Sequence, residues 1–440
     1  MEKDVHRTST GISLETSFRN RLRKFAVSVV SLLFFTLALR ADTAIQIAAD
    51  LPPAKQELHG RLTLHEGLPV LELWGTPEEA AYAHGFLLAE PIIRLFDEFV
   101  LAPKTLPDPA LYENVLVPGV RRQFVWTPEQ VRELEALLHG LEDRLPEDRR
   151  NSRVLGRPLQ IEDLMIGNTL ADWFGAFCSS FSVWGALTPD GKILTARNLD
   201  FPSTPAMQRM QLVIVRRGAA DQPGWIGIGW PGTVGVYTAL NENGVTMLMH
   251  DAGGLPPSSG AGFTPRALIL REALLAAKSE TWLDDVRKVF QERLVLVGNN
   301  IHVSGPRGAG LPAAAIFEYD ANSRDRGVTI RIADANAPAL SDALWCTNHM
   351  RLRKEPTECG RYRVIEEGLR QALRDGKRLG PDDAFELLRA ARQSITLHSV
   401  CLLPESRIML VSIPTESAAV VEFRLADWLK SSKDDSVSDK

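Results

Sequence analysis

Metal-binding spacings are missing from this chain of 440 residues: it has no Cys-x-x-Cys, no His-Glu-x-x-His and no histidine pair at helical spacing. A metal centre is not indicated, and no cofactor fingerprint appears. Gly-x-Ser-x-Gly is absent too, which argues against the serine elbow of an α/β-hydrolase. The nine histidines form no evident triad. A basic patch is lacking: the net charge is −5 with both signs interspersed, so no nucleic-acid partner is expected. Cysteine is scarce, with only Cys178, Cys346, Cys359 and Cys401. Their pairing cannot be read from spacing, although Cys346 and Cys359 would be the natural pair in an oxidising compartment.

Long apolar runs are also scarce. The one that stands out, Phe25 to Leu39, follows Arg19, Arg21, Arg23 and Lys24. A basic stretch before about 15 apolar residues has the pattern of a secretory signal and is short for a membrane span. No clean Ala-x-Ala cleavage site follows, so an uncleaved anchor is the alternative. Residues 1–44 are therefore assigned to targeting and the protein is expected to be exported, to the periplasm or beyond. The Ser-, Asp- and Lys-rich end, 429–440, is expected to be disordered.

What remains is ordinary globular composition, 45% hydrophobic, enough to bury a large core. Residues 45–177 read as mainly helical after a short strand pair. Thr76 before Pro77, Glu78 and Glu79, and Thr127 before Pro128 and Glu129, are helix starts: a cap, a first-turn proline and early acids. From Cys178 to 428 the chain turns to short strands, such as Trp225–Trp230, Val234–Leu240 and Val245–His250. Two helical pairs interrupt them, near 265–293 and 361–392. Strands, helices and strands again fit two packed sheets with helices outside.

The most informative stretch begins at Cys178. Phe181 to Leu187 suits a strand, Thr188-Pro189-Asp190-Gly191 is turn chemistry, and Lys192 to Ala196 suits a returning strand. Such a hairpin folds Arg197 and Asp200 back beside Cys178. A guanidinium there would favour thiolate over thiol. A lone cysteine is ordinarily a small core residue, and Asp200 alone would be an ordinary turn acid. The three together at hairpin spacing suggest catalysis.

Several stretches carry a family resemblance. They are Gly75-Thr76-Pro77-Glu78-Glu79, Cys178-Ser179-Ser180-Phe181, Thr188 to Lys192, Arg197-Asn198-Leu199-Asp200-Phe201 and Leu240-Asn241-Glu242-Asn243-Gly244. Further on come Thr347-Asn348-His349, Gly360-Arg361-Tyr362 and Thr396-Leu397-His398-Ser399-Val400. In this order the chain resembles the N-terminal-nucleophile hydrolases of the isopenicillin N acyltransferase type. It is more distantly similar to choloylglycine hydrolases and acid ceramidases. The resemblance implies an α+β fold, a four-layer αββα sandwich, made as a precursor that cuts its own Phe177–Cys178 bond.

The resemblance also implies roles. Cys178 Sγ would attack the acyl carbonyl of a linear N-acyl amide, with its freed α-amine as base. An α-amine titrates near ~7.7–8.0 and so suits neutral pH. Asp200 would orient that ammonium, Arg197 would hold the thiolate, and Asn348 would donate to the oxyanion. Arg361 matches a second arginine near the nucleophile. In choloylglycine hydrolases a further oxyanion asparagine follows the Asn-Glu-x-Gly turn; here His250-Asp251 stands in its place. Either His250 or a backbone N–H would have to substitute, because an ionised Asp251 cannot donate. Phe177 is bulky for a cleavage site. Transfer of the acyl group to an amine, or a silent binding role in the envelope, are the competing readings.

Overall fold

The computed structural model describes residues 45 and 51–430, apart from 107, 174, 176, 220–221, 254–259, 309, 323–326, 333–339, 355–356 and 415–418. The described residues belong to one compact unit, Ala44–Lys440. The expected targeting segment lies outside the described residues, as does most of the tail. No helix among the described residues is long and apolar enough to cross a membrane.

Nine strands form one sheet. They are β1 (Gly60–His65), β2 (Leu68–Leu73), β5 (Leu212–Arg216), β6 (Trp225–Gly229), β7 (Thr238–Asn241), β8 (Thr246–Ala252), β9 (Gly298–Ser304), β10 (Ala314–Tyr319) and β11 (Thr329–Arg331), in that order across the sheet. Among the described strands only the β2–β5 pairing is parallel. The second sheet has the order β12-β3-β4-β13-β14-β15. Its strands are β12 (Ala343–Cys346), β3 (Phe177–Val183), β4 (Leu194–Asp200), β13 (Thr396–Leu403), β14 (Ile408–Ser412) and β15 (Val421–Arg424).

Side-chain alternation along the strands gives each sheet two faces. Val213, Ile226 and Leu248 of the first sheet pack against Val400, Met409 and Val411 of the second, forming the middle of the sandwich. The outer face of the second sheet, including Phe181, Ala196 and Trp345, is covered by Ile365, Leu369 and Leu388 of helices Gly360–Arg374 and Pro381–Ala390. On the far side, Ile214, Met247 and Val303 meet helices Arg266–Ala276, Trp282–Glu292 and the upstream helical group. The layers are therefore helix, sheet, sheet, helix: the αββα sandwich.

The upstream helices begin where the sequence places them. Thr76 and Glu79 exchange side-chain and backbone hydrogen bonds, as do Thr127 and Gln130. Helices Pro77–Leu87 and Pro128–Arg144 cross almost backbone to backbone, because a Cβ at Gly85 would lie 1.8 Å from the Leu137 carbonyl oxygen. A π-helical turn at Phe96–Val100 then carries the chain across the sheet's outer face.

Part of the inter-sheet layer is polar. Ser180 Oγ lies 2.7 Å from His302 Nδ1, and Ser182 Oγ 2.8 Å from its Nε2. Burial, aided by Arg331 and Arg197, lowers His302 to about 3, so the ring is neutral between its two hydroxyls. The network ties β3, the strand of Cys178, to β9.

Candidate active site

The β3–β4 hairpin forms as the sequence suggests, with Gly191 at φ 73° in its connection. Phe177 pairs with Asp200, Cys178 with Leu199, and Ser180 with Arg197. Cys178 and Arg197 thus share the inner face as diagonal neighbours, while Asp200 projects from the outer face. Arg197 Nη2 donates to Cys178 Sγ at 3.1 Å. Its remaining bonds go to the carbonyls of Tyr237 and Met249 and to Thr238 Oγ1. The guanidinium is wholly buried. Among the described residues it makes no hydrogen bond to a carboxylate.

The backbone of Cys178 is gripped on both sides. Its N–H donates to Asn348 Oδ1 at 2.8 Å, and its carbonyl accepts from Arg361 Nη1 at 2.7 Å. Arg361 also reaches Asp200 Oδ2 at 3.1 Å and Asn348 Oδ1 at 2.8 Å. Thr396 Oγ1 donates to the other Asp200 oxygen at 2.5 Å. Burial raises the Asp200 carboxyl, opposed by the Thr396 hydrogen bond and the two arginines. All five residues expected around the nucleophile, Cys178, Arg197, Asp200, Asn348 and Arg361, are therefore linked in one network.

Asn348 presents its oxygen to the Cys178 N–H, and its amide nitrogen donates to the Asp251 carbonyl at 2.7 Å. The loop around it is fixed from below. Asn300 Nδ2 holds the Thr347 carbonyl, and the Glu318 carboxylate accepts the backbone N–H groups of Arg351, Leu352 and Arg353. Nothing in the sequence singles out Glu318 for this task.

His250 and Asp251 diverge. His250 faces the sheet interior, where burial first, and then Arg197 and His302, push its pKa well down. Its Nδ1 lies 3.2 Å from the Leu248 carbonyl, an acceptor only. Nδ1 therefore carries the proton of the neutral ring, and Nε2 offers a lone pair rather than an N–H. Asp251 points to the other face, into an ionic group in which Arg266 Nη1 sits 3.1 Å from its Oδ1 and Arg266 Nε 3.6 Å from Asp172.

Cys346 and Cys359, the likeliest pair if any bridge existed, are not joined; all four cysteines are free thiols. Cys346 is buried, and desolvation pushes it up to about 12. Cys359 starts the helix that carries Arg361. Burial raises this thiol, but hydrogen bonds from His349 and the Tyr362 backbone outweigh it and leave it at about 6. Phe177 is 36% exposed, so only part of its surface faces solvent. No cluster of three or more His, Cys, Asp or Glu that could hold a metal occurs among the described residues.

An apolar pocket adjoins the network. Arg197, Leu199 and Met249 form its floor beside the nucleophile, and Phe96, Phe99 and Trp230 stand among its walls. Phe201 and Trp230 line it; Trp184 and Trp225 do not.

Residues 186–399 match the family model of acyl-coenzyme A:6-aminopenicillanic acid acyl-transferases. The matched stretch contains Arg197, Asp200, Asn348 and Arg361 and begins downstream of Cys178. No curated protein matches the chain. Among solved structures, the chain is similar to the Caenorhabditis elegans ortholog of N-acylethanolamine-hydrolyzing acid amidase, at 18% identity and TM-score 0.40 over 52% of this chain and 93% of that one. A mutant of conjugated bile acid hydrolase from Clostridium perfringens has 10% identity and TM-score 0.40, covering 57% and 94%. Penicillin V acylase from Agrobacterium tumefaciens has 12% identity and TM-score 0.37, covering 57% and 86%. The helix, sheet, sheet, helix layering is the one that the resemblance read from the sequence implies. The chain resembles the isopenicillin N acyltransferase type in the motifs quoted from its sequence.

Proposed function

We propose that the chain is an autoproteolytically activated cysteine amidohydrolase acting on a linear N-acyl amide with an apolar acyl group. One observation carries the reading: a buried arginine donates to Cys178 Sγ while the Cys178 N–H and carbonyl are both held. The Arg197 N–H points at the sulfur and the Cys178 backbone is held on both sides, which fixes Sγ for attack. Maturation would begin with Sγ attacking the Phe177 carbonyl carbon. A thioester forms, the Phe177–Cys178 C–N bond breaks, and the nitrogen takes the thiol proton. Water then cleaves the thioester, leaving a Phe177 carboxylate and a free Cys178 thiol and amine.

Turnover repeats this on the substrate. Sγ attacks the amide carbonyl, the Cys178 amine passes the thiol proton to the leaving amine, and water releases the acid. Asp200, joined to Arg361, lies in register with Phe177, close to where the new ammonium would form. The apolar cavity beside Leu199 supports an apolar acyl group. We also propose that the protein is exported, from the basic and apolar segment 19–39.

Denaturing electrophoresis and mass measurement test the mechanism. Wild type is expected as two chains, the second beginning at Cys178, and Cys178→Ala as one. An uncut wild type that hydrolyses amides at full rate would overturn it. The matched family model describes an acyl-transferase, which favours a second reading in which an amine replaces water. If an added amine acceptor yields N-acylated product faster than free acid, the second reading stands and the first does not.

A further inference from the structure

Arg197 is itself held in place by a buried chain of hydrogen bonds that leads away from Cys178. Arg197 Nη1 donates to Thr238 Oγ1. Thr238 Oγ1 lies 3.2 Å from His398 Nε2, and His398 Nδ1 lies 2.7 Å from Gln211 Oε1. Gln211 Nε2 donates at 2.9 Å to the carbonyls of Gln208 and Leu397. Thr238, His398 and Gln211 are all at most 2% exposed. They come from β7, β13 and the residue before β5, so the chain spans both sheets.

Its polarity is fixed at every step. A guanidinium only donates, so Thr238 Oγ1 accepts from Arg197; because the His398 proton is committed to Gln211 Oε1, Nε2 of the neutral ring accepts the Thr238 hydrogen. His398 then carries its proton on Nδ1 and gives it to Gln211 Oε1. The Gln211 amide nitrogen ends on carbonyls, which only accept. No second arrangement of hydrogens satisfies all these atoms.

Protonating His398 would put an N–H against Thr238, break the sequence, and bring a second cation toward Arg197. Burial, with Arg197 second, holds the ring neutral. The other titratable groups around Cys178 are Asp200 on β4, His250 on β8, Cys346 on β12 and Arg361 on the helix Gly360–Arg374. None of them joins this chain by a hydrogen bond named above.

We propose that Thr238, His398 and Gln211 are positioning residues that aim the Arg197 guanidinium at the Cys178 sulfur. The proposal rests on the reading of Cys178 as nucleophile, and it gives the stretch containing Thr396 and His398 a task beyond strand packing. Thr238 is the weak link. Removing its hydroxyl leaves Arg197 one acceptor short and His398 without its donor, with almost no change in volume.

The test uses the full chain and iodoacetamide, with labelling of the Cys178 peptide followed by mass spectrometry at neutral pH. Thr238→Val and His398→Leu are expected to label roughly five- to thirtyfold more slowly than wild type, the worth of one or two buried hydrogen bonds. Thr238→Ser, which restores the hydroxyl, is expected to label at the wild-type rate. A Thr238→Val protein that melts like wild type and labels at the wild-type rate would overturn the proposal. So would a Thr238→Ser protein as slow as Thr238→Val, since loss of packing alone would then explain both. Chain cutting and amide hydrolysis by the wild type are scored separately. Their absence would remove the nucleophile reading while leaving the Val-versus-Ser comparison at the sulfur to be judged by itself.

Discussion

Arg361 touches three partners at once: the Cys178 carbonyl, Asp200 and Asn348. A lysine keeps the charge but offers one ammonium in place of a planar fork, so Arg361→Lys keeps at most part of this geometry. Cutting and amide hydrolysis are expected to slow roughly 10²-fold, the scale of losing one positioned donor, with little change in melting temperature. Time courses on denaturing gels, alongside hydrolysis rates, check this. Asn348→Ala removes the acceptor of the Cys178 N–H and is expected to slow cutting to a similar extent.

At this scale sequence was informative in an uneven way. Arg197 and Asp200 could be placed beside Cys178 from the hairpin alone, because a period-two pattern around Pro189-Asp190-Gly191 fixes what lies opposite. Asn348 and Arg361 were reachable only through family motifs. Thr238 and Gln211 carried no local sign, since tertiary packing, not spacing, brings them to Arg197 and His398.

Among elements, the capped helices and most strands stood out through their caps and alternation. Val234–Leu240 did not hold as one strand: β7 is Thr238–Asn241, because Val234 N–H is taken by Asn168 Oδ1 and Val236 N–H by the Ala267 carbonyl. β12 was missed, being only four residues, Ala343–Cys346, with no alternation to read. The π-helical turn at Phe96–Val100 looks like any helix in sequence.

The helix crossing at Gly85 makes its own prediction. An added Cβ meets backbone rather than a side chain that could swing aside, and Gly140 faces the same problem against the Tyr82 carbonyl, at 2.0 Å. Gly85→Ala is expected to destabilise by about 2–3 kcal/mol, read as a lower urea midpoint with an unchanged slope.

For the molecule as a whole, buried neutral histidines set its response to acid. Burial lowers His84 to about 4, and its Nε2 accepts the Gly232 N–H at 3.0 Å, a bond that protonation destroys. His302 is lowered to about 3. Both values lie below that of an unfolded histidine, about 6.5, so the unfolded chain binds more protons in the interval between. Stability from these residues is complete above about pH 6.5 and drains away as pH falls toward 4 and below. His84 alone accounts for roughly 3 kcal/mol of that loss. His84→Gln keeps an acceptor for Gly232 and cannot titrate; its urea midpoint is expected to vary less between pH 6.5 and 4.

The apolar cavity has one more consequence. Its walls Ile92, Phe96, Phe99 and Leu164 precede Cys178 in the chain, and its floor follows. β1 and β2, also upstream, complete the larger sheet beside β5. A cut at Phe177–Cys178 would therefore discard nothing: the upstream piece is masonry, not wrapping. Both fragments are expected to co-elute on gel filtration and to part only in denaturant. A gene beginning at Cys178 would encode that cysteine in a room with half its walls missing.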